Sequence, residues 1–169
     1  IDEYLVTLDL HGVLAEAKVG RTIERSLSEL DAADARVFVA LGVLPAAGAT
    51  ERMVATTVEQ PRPPVARALD RLVRCNLAEY SPTTGRYVLH PLTRKAARSK
   101  LGADDELYRG AANAMENLAK WVHALVGVEG NRARERWNSV RDIFDSLDPD
   151  PWLSGAPGGD VVATALTYV

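Results

Sequence analysis

The stretch that decides the fold is Glu79 to Arg94, EYSPTTGRYVLHPLTR. Two short β-prone runs, Glu79-Tyr80-Ser81 and Arg86 to Leu89, flank a turn centred on Pro82 to Gly85, which predicts a hairpin. The second run ends on His90, and Pro91 then opens a basic segment with helical spacing. Proline suits a first helical turn, where its missing N–H is not needed. His90 therefore stands at a strand-to-helix junction, beside the unpaired N–H groups of a helix start. Such a junction favours an anion, phosphate in particular.

Upstream of the hairpin the pattern is helical. Ile23, Leu27 and Leu30 share one face of a lead-in helix. Asp31 is an N-cap for the next, which carries Val37, Phe38, Leu41 and Leu44 and stops at Pro45. After an Ala- and Gly-rich loop, Thr50 caps a helix containing Met53, Val54, Thr57 and Val58. The cluster Gln60-Pro61-Arg62-Pro63-Pro64 cannot lie inside a helix, but Pro63 or Pro64 fits a first turn. The helix it opens holds Val65, Leu69, Leu72, Val73 and Leu77. Beyond His90-Pro91, Leu92, Ala96, Ala97 and Leu101 continue a further helix. Three helices after Asp31, a hairpin and a closing helix make a winged-helix pattern over residues 21–101, with the hairpin as the wing.

Residues 102–169 read as more purely helical. Asp104 and Asp105 open a helix in which Leu107, Ala111, Met115, Leu118, Val122 and Leu125 recur every three or four positions. Gly127 to Gly130 breaks it. A second stripe follows at Ala133, Trp137, Val140, Phe144 and Leu147, ended by Asp148-Pro149-Asp150-Pro151. Gly155 to Gly159 reads as loop, and Val161 to Val169 as the start of a further apolar element. The two long helices are expected to pack antiparallel, with Trp121 and Trp137 in the core. The predicted fold class is thus mainly α, a winged helix with a small hairpin followed by antiparallel helices.

The chain has 169 residues, 47% hydrophobic and 25% charged, which are ordinary globular proportions and argue against global disorder. Its net charge of -3 conceals a division. Residues 1–20 hold four acids and one base, residues 21–101 eight acids and thirteen bases, and residues 102–169 eleven acids and six bases. A basic middle between acidic ends suits either a phosphate or nucleic-acid partner or attraction between the segments. A single cysteine, Cys75, excludes an internal disulfide and points to a reducing, cytoplasmic setting. No apolar run has the length of a membrane span. The start at Ile1 and the end within an apolar patch lead us to expect a piece of a longer protein, residues 1–20 being the tail of a preceding subdomain.

Three stretches together resemble a known family: LSELDAADARVFVALGVLP (Leu27–Pro45), RALDRLVRCNLAEY (Arg67–Tyr80) and GRYVLHPLTRKAAR (Gly85–Arg98). They are similar to the winged-helix subdomain of NB-ARC-type STAND ATPases, particularly those of bacterial regulators. Residues 102–169 resemble the start of the helical region that follows there. The resemblance implies a regulatory element of a nucleotide-driven switch. Its partners would be an upstream nucleotide-binding domain and a downstream helical domain of the same chain. In that family a histidine at the end of the wing, usually followed by Asp, contacts the β-phosphate of ADP, and His90 is the matching position. Pro91 stands where the Asp would be. ADP or ATP would belong to the parent protein and bind weakly to this segment alone.

The residues leave other readings open. No glycine-rich loop ending in Gly-Lys-Ser or Gly-Lys-Thr occurs, so this segment is not expected to be an enzyme. Asp9-Leu10-His11-Gly12-Val13-Leu14 resembles the first motif of haloacid-dehalogenase-type phosphatases. His11, however, takes the place of the second acid that motif needs. His90 is alternatively a plain helix cap. Arg67, Arg71 and Arg74, at i, i+4 and i+7, form one polar stripe where a DNA-binding winged helix meets the major groove, and Arg86 on the wing would add a phosphate contact. Their other reading is a solvated face, or a surface for a neighbouring domain. Cys75 lacks a catalytic companion, and the three histidines lack metal-ligand spacing.

Overall fold

A computed structural model describes residues 20–101, 104–126, 130–148, 150–153 and 155–167. It is mainly helical, with one small two-stranded antiparallel sheet. Helix α1 (20–28) leads into α2 (Ala32–Val43) and α3 (Glu51–Thr57), and then α4 (Arg62–Arg74). Strands β1 (Glu79–Ser81) and β2 (Arg86–Val88) follow, then α5 (Pro91–Leu101) and α6 (Asp105–Val126). The chain continues through α7 (Gly130–Asp145), a single-turn α8 (Asp150–Leu153) and α9 (Gly159–Thr167). The motifs read at residues 1–19 lie outside the described residues.

Local chemistry sets the boundaries. The Asp34 N–H donates to the Asp31 carboxylate at 2.8 Å, and the Met53 N–H to the Thr50 hydroxyl at 3.3 Å, so both expected N-caps are in place. Pro63 and Pro64 sit in the first turn of α4. That helix ends on Asn76 in a left-handed conformation (φ 55°), with Asn76 N–H to Val73 C=O at 3.0 Å and Leu77 N–H to Leu72 C=O at 2.9 Å. This is a Schellman motif, closed by the buried pair Leu72 and Leu77. Helix α3 ends the same way on Glu59 (φ 54°), although glutamate has no side-chain reason to favour that conformation. In the hairpin Tyr80 pairs with Tyr87, their rings 4.9 Å apart, and Gly85 (φ 68°) supplies the left-handed turn residue.

Two backbone bonds, Ala49 N–H to Tyr87 C=O at 3.0 Å and the reciprocal pair at 2.9 Å, lay the loop before α3 against β2. One apolar core runs from Ile23 through Phe38, Leu69, Leu72, Leu107 and Met115 to Ala165, across the Leu101–Asp105 junction. Helix α6 packs chiefly on α3 and α9, and less on α7, its expected hairpin partner. The reason is the small-residue face Gly110-Ala111 and Ala114, which brings backbones close: a Cβ at Gly110 would lie 2.1 Å from the Thr57 carbonyl oxygen.

Two expectations need correction, and a third is met with an addition. Trp121 is not core but 42% exposed. The Asp-Pro repeat ends α7 but also starts α8, because Asp and Pro suit a first turn. Gly159, expected in a loop, opens α9. No helix among the described residues is long and apolar enough to cross a membrane.

Candidate functional site

His90 is exposed and performs capping chemistry. Its carbonyl accepts the Arg94 N–H at 2.8 Å, and its Nδ1 accepts the Leu92 N–H at 3.4 Å. With Nδ1 an acceptor, the neutral ring carries its proton on Nε2, which is a donor for a further group. Capping and ligand contact are thus compatible at this residue.

The arginines divide sharply. On α4, Arg67 and Arg74 are exposed. Arg71 is clamped by Asp34, its Nε and Nη2 each donating to one carboxylate oxygen, with Asp31 a further 3.8 Å contact. Hydrogen bonding to Asp34 raises the Arg71 pKa further above its ordinary value. Arg86, expected on the wing surface, is buried at 3% exposure. Its Nη1 donates to Asp142 at 2.7 Å and its Nη2 to the Ser139 carbonyl. It is therefore withdrawn from any nucleic-acid surface, because α7 covers the hairpin at that point. The four arginines read as one candidate contact set do not form a common patch.

Two of the four bases of α5, Arg94 and Arg98, turn inward, while Lys95 and Lys100 stay exposed. Arg94 donates to the Leu41 carbonyl at 3.4 Å and to that of Leu44, and Arg98 to the Gly42 carbonyl at 3.0 Å. These are carbonyls at the end of α2, which lack partners within their own helix and carry its negative dipole end. Arg98 also pairs with Asp148, which holds that carboxyl below the usual range. Burial and the neighbouring Arg98 pull the Arg94 pKa down to about 10. Further contacts fasten the end of α7 to the loop after α2: the Ala47 N–H donates to the Ser146 hydroxyl at 2.9 Å and the Ala46 N–H to its carbonyl at 3.3 Å.

A cavity of about 700 Å³ lies between the start of α3, the hairpin turn, α6 and α7. Thr50, Arg52, Met53 and Thr56 line it from α3, and Thr83 and Thr84 from the turn. Asn117, Leu118 and Trp121 face it from α6; Asn138, Asp142 and Ile143 from α7. His90, Arg67, Arg71 and Arg74 do not line it. Sequence reading missed this site because its walls are contributed by segments as much as 93 residues apart. Trp121 was the available signal, a large aromatic on a helix otherwise rich in alanine.

Cys75 is a half-buried free thiol, and the described residues contain no cluster of three or more potential metal ligands. No protein-family model, curated protein or solved structure matches the chain.

Proposed function

We propose that the chain is a non-catalytic regulatory and interaction segment of a STAND-type, nucleotide-driven switch. In this reading residues 21–101 are a winged-helix unit, residues 102–169 are the helical region that receives its state, and His90 is the contact to bound ADP. The order of α2, α3, α4, hairpin and α5, with Ala49 adding a bridge to β2, supports the winged-helix reading.

One observation carries the choice of an intramolecular role. Among the described residues, the ion pairs that join 21–101 to 102–169 all place the base in the first part and the acid in the second. They are Arg36 with Asp104 and Glu106, Arg86 with Asp142, and Arg98 with Asp148. Three of the thirteen basic residues of the middle segment are thus paired with its own neighbour in the chain. A DNA-binding regulator would instead present those groups to phosphates. Only Arg67 and Arg74 of the expected contact set remain exposed, with Asp70 between them.

The test uses the parent protein, with whatever precedes Ile1, loaded with a fluorescent ADP. Losing one hydrogen bond to a charged phosphate costs about 1.5–3 kcal/mol, so His90→Ala should speed ADP release by about ten- to a hundredfold. Unchanged release, or an upstream sequence without a phosphate-binding loop, overturns the reading. A mobility shift at low salt that Arg67→Ala and Arg74→Ala abolish would favour the DNA-binding alternative.

A further inference from the structure

The hairpin has one occupied edge and one open one. Tyr87 in β2 shares its N–H and its C=O with Ala49, at 2.9 and 3.0 Å, and so turns both away from β1. Hydrogen-bonded and non-hydrogen-bonded pairs alternate along an antiparallel ladder, so Tyr80 and Tyr87 form a pair of the second kind. The Tyr80 N–H and C=O consequently point outward from β1. No described residue bonds either group, and the sheet ends at β1. Glu79 and Tyr80 are both exposed, which leaves this edge open to solvent. A free backbone donor and acceptor on an edge strand are a template for a further strand.

The side chains beside that edge specify the partner's chemistry. Opposed residues share a face of the sheet, and the Tyr80 ring, 48% exposed, lies 4.9 Å from that of Tyr87. Tyr87 is only 9% exposed, yet no described residue hydrogen-bonds its hydroxyl. Burial raises the pKa of this phenol, and Asp70, Tyr80 and Glu51 raise it further, so the charges that reach it are negative. Glu51 is paired with Arg62 at 2.8 Å, whereas no described residue forms an ion pair with Asp70. Neither Arg67 nor Arg74, its neighbours along α4, does so. The face thus offers an unpaired carboxylate, an unpartnered phenol and a half-exposed aromatic ring. These are the surroundings that hold a guanidinium or an ammonium group.

We propose that the outer edge of β1 takes up an extended basic segment of a partner protein as a third strand. The partner residue opposite Tyr80 exchanges both backbone hydrogen bonds with it. The side chain of that residue, arginine or lysine, falls on the face of Tyr80, across the ring and toward Asp70. Backbone pairing fixes the register, and the charge selects the sequence. The edge is separate from His90, so this proposal and the nucleotide reading fail independently.

Fluorescence anisotropy of a labelled, end-capped peptide, Thr-Val-Arg-Val-Thr, titrated with the chain tests this. The peptide should bind with a Kd below about 1 mM. Citrulline in place of its arginine keeps the shape without the charge and should weaken binding about fivefold. Methylating the backbone nitrogen of that arginine removes its bond to the Tyr80 carbonyl and should weaken binding at least about tenfold. Asp70→Asn and Tyr80→Thr, both at exposed positions, should each reduce the preference for arginine over citrulline, with the far-ultraviolet circular dichroism unchanged. No saturable binding, equal affinity for the citrulline or the methylated peptide, or a preference indifferent to both substitutions overturns the proposal. Dimerisation of the chain alone that Tyr80→Thr abolishes would assign the edge to a second copy and overturns it as well.

Discussion

Replacing Gly110 by alanine tests the packing that joins the two parts of the chain. In the middle of a helix this exchange ordinarily stabilises by about 1 kcal/mol, because glycine is the weaker helix former. Here the added Cβ would stand 2.1 Å from the Thr57 carbonyl oxygen, 2.7 Å from its carbon and 2.9 Å from its Cα. A relaxed carbon–oxygen contact is about 3.3 Å, so α6 must retreat from α3 by about 1 Å. The opposing atoms are backbone at a Schellman-capped helix end, so no rotamer change can relieve the clash. A gap of that size forfeits about a quarter to a half of the dispersion energy along the interface. Leu107, Ala111, Ala114 and Met115 are fully or almost fully buried there. Overpacking typically costs about 1–3 kcal/mol, and rigid backbone places this case at the upper end. Net of helix propensity, Gly110→Ala should destabilise by about 2 kcal/mol, lowering Tm by about 4–8 °C. Urea unfolding followed by circular dichroism measures it. Gly20→Ala, whose Cβ meets nothing within 4 Å, is the control and should stay within about 0.5 kcal/mol of wild type. A Gly110→Ala chain as stable as wild type would refute the close approach of α3 and α6.

Two further outcomes follow from local geometry and charge. Glu59 holds a left-handed conformation (φ 54°) at the end of α3 while exposed, so Glu59→Gly should raise stability by about 0.5–1 kcal/mol in the same urea assay. The Asp148 carboxyl is depressed by its hydrogen bond from Arg98, so the folded state binds that proton less readily than the unfolded chain. Its contribution is therefore present above the ordinary carboxylate range and lost as pH falls below about 4; Asp148→Asn should flatten the acid limb of a stability-versus-pH curve and leave its slope above pH 5 unchanged.

The sequence carried the local features of the fold most fully. Asp31 and Thr50 were identifiable as caps because the interaction that makes a cap lies within three residues. The hairpin was visible for the same reason, its turn residues and flanking β-prone runs being contiguous. The left-handed end of α3 was hidden, since Glu59 is imposed on that conformation by the packing of α3 rather than by its own preference. The pairing of α6 with α3 was hidden as well. A stripe at Leu107, Ala111 and Met115 says that one face is buried, not which helix buries it. Gly110 held that information, but a lone glycine in a helical run looks the same whether it faces solvent or a carbonyl.

The arginines show why the site was harder to read than the fold. Arg67, Arg71 and Arg74 are equivalent by spacing, yet Arg71 alone meets the buried carboxylate of Asp34, thirty-seven positions away in the chain. Arg86 finds Asp142 over fifty-six positions, and Arg94 and Arg98 find the end of α2 over fifty or more. Helical periodicity assigns a side chain to a face; it does not say what faces it. The division of charge between residues 21–101 and 102–169 was the one long-range signal available, and it averages over residues without pairing them. Its resolution has a consequence for function. A guanidinium that satisfies helix-end carbonyls or a buried carboxylate is costly to redirect, since release leaves its acceptors unpaired in a low-dielectric interior. The arginines that hold α2, α4 and α7 together are therefore poor candidates for reversible nucleic-acid contact. A regulatory role operates more readily through exposed groups outside these contacts, His90, Arg67, Arg74 and Arg52 among them.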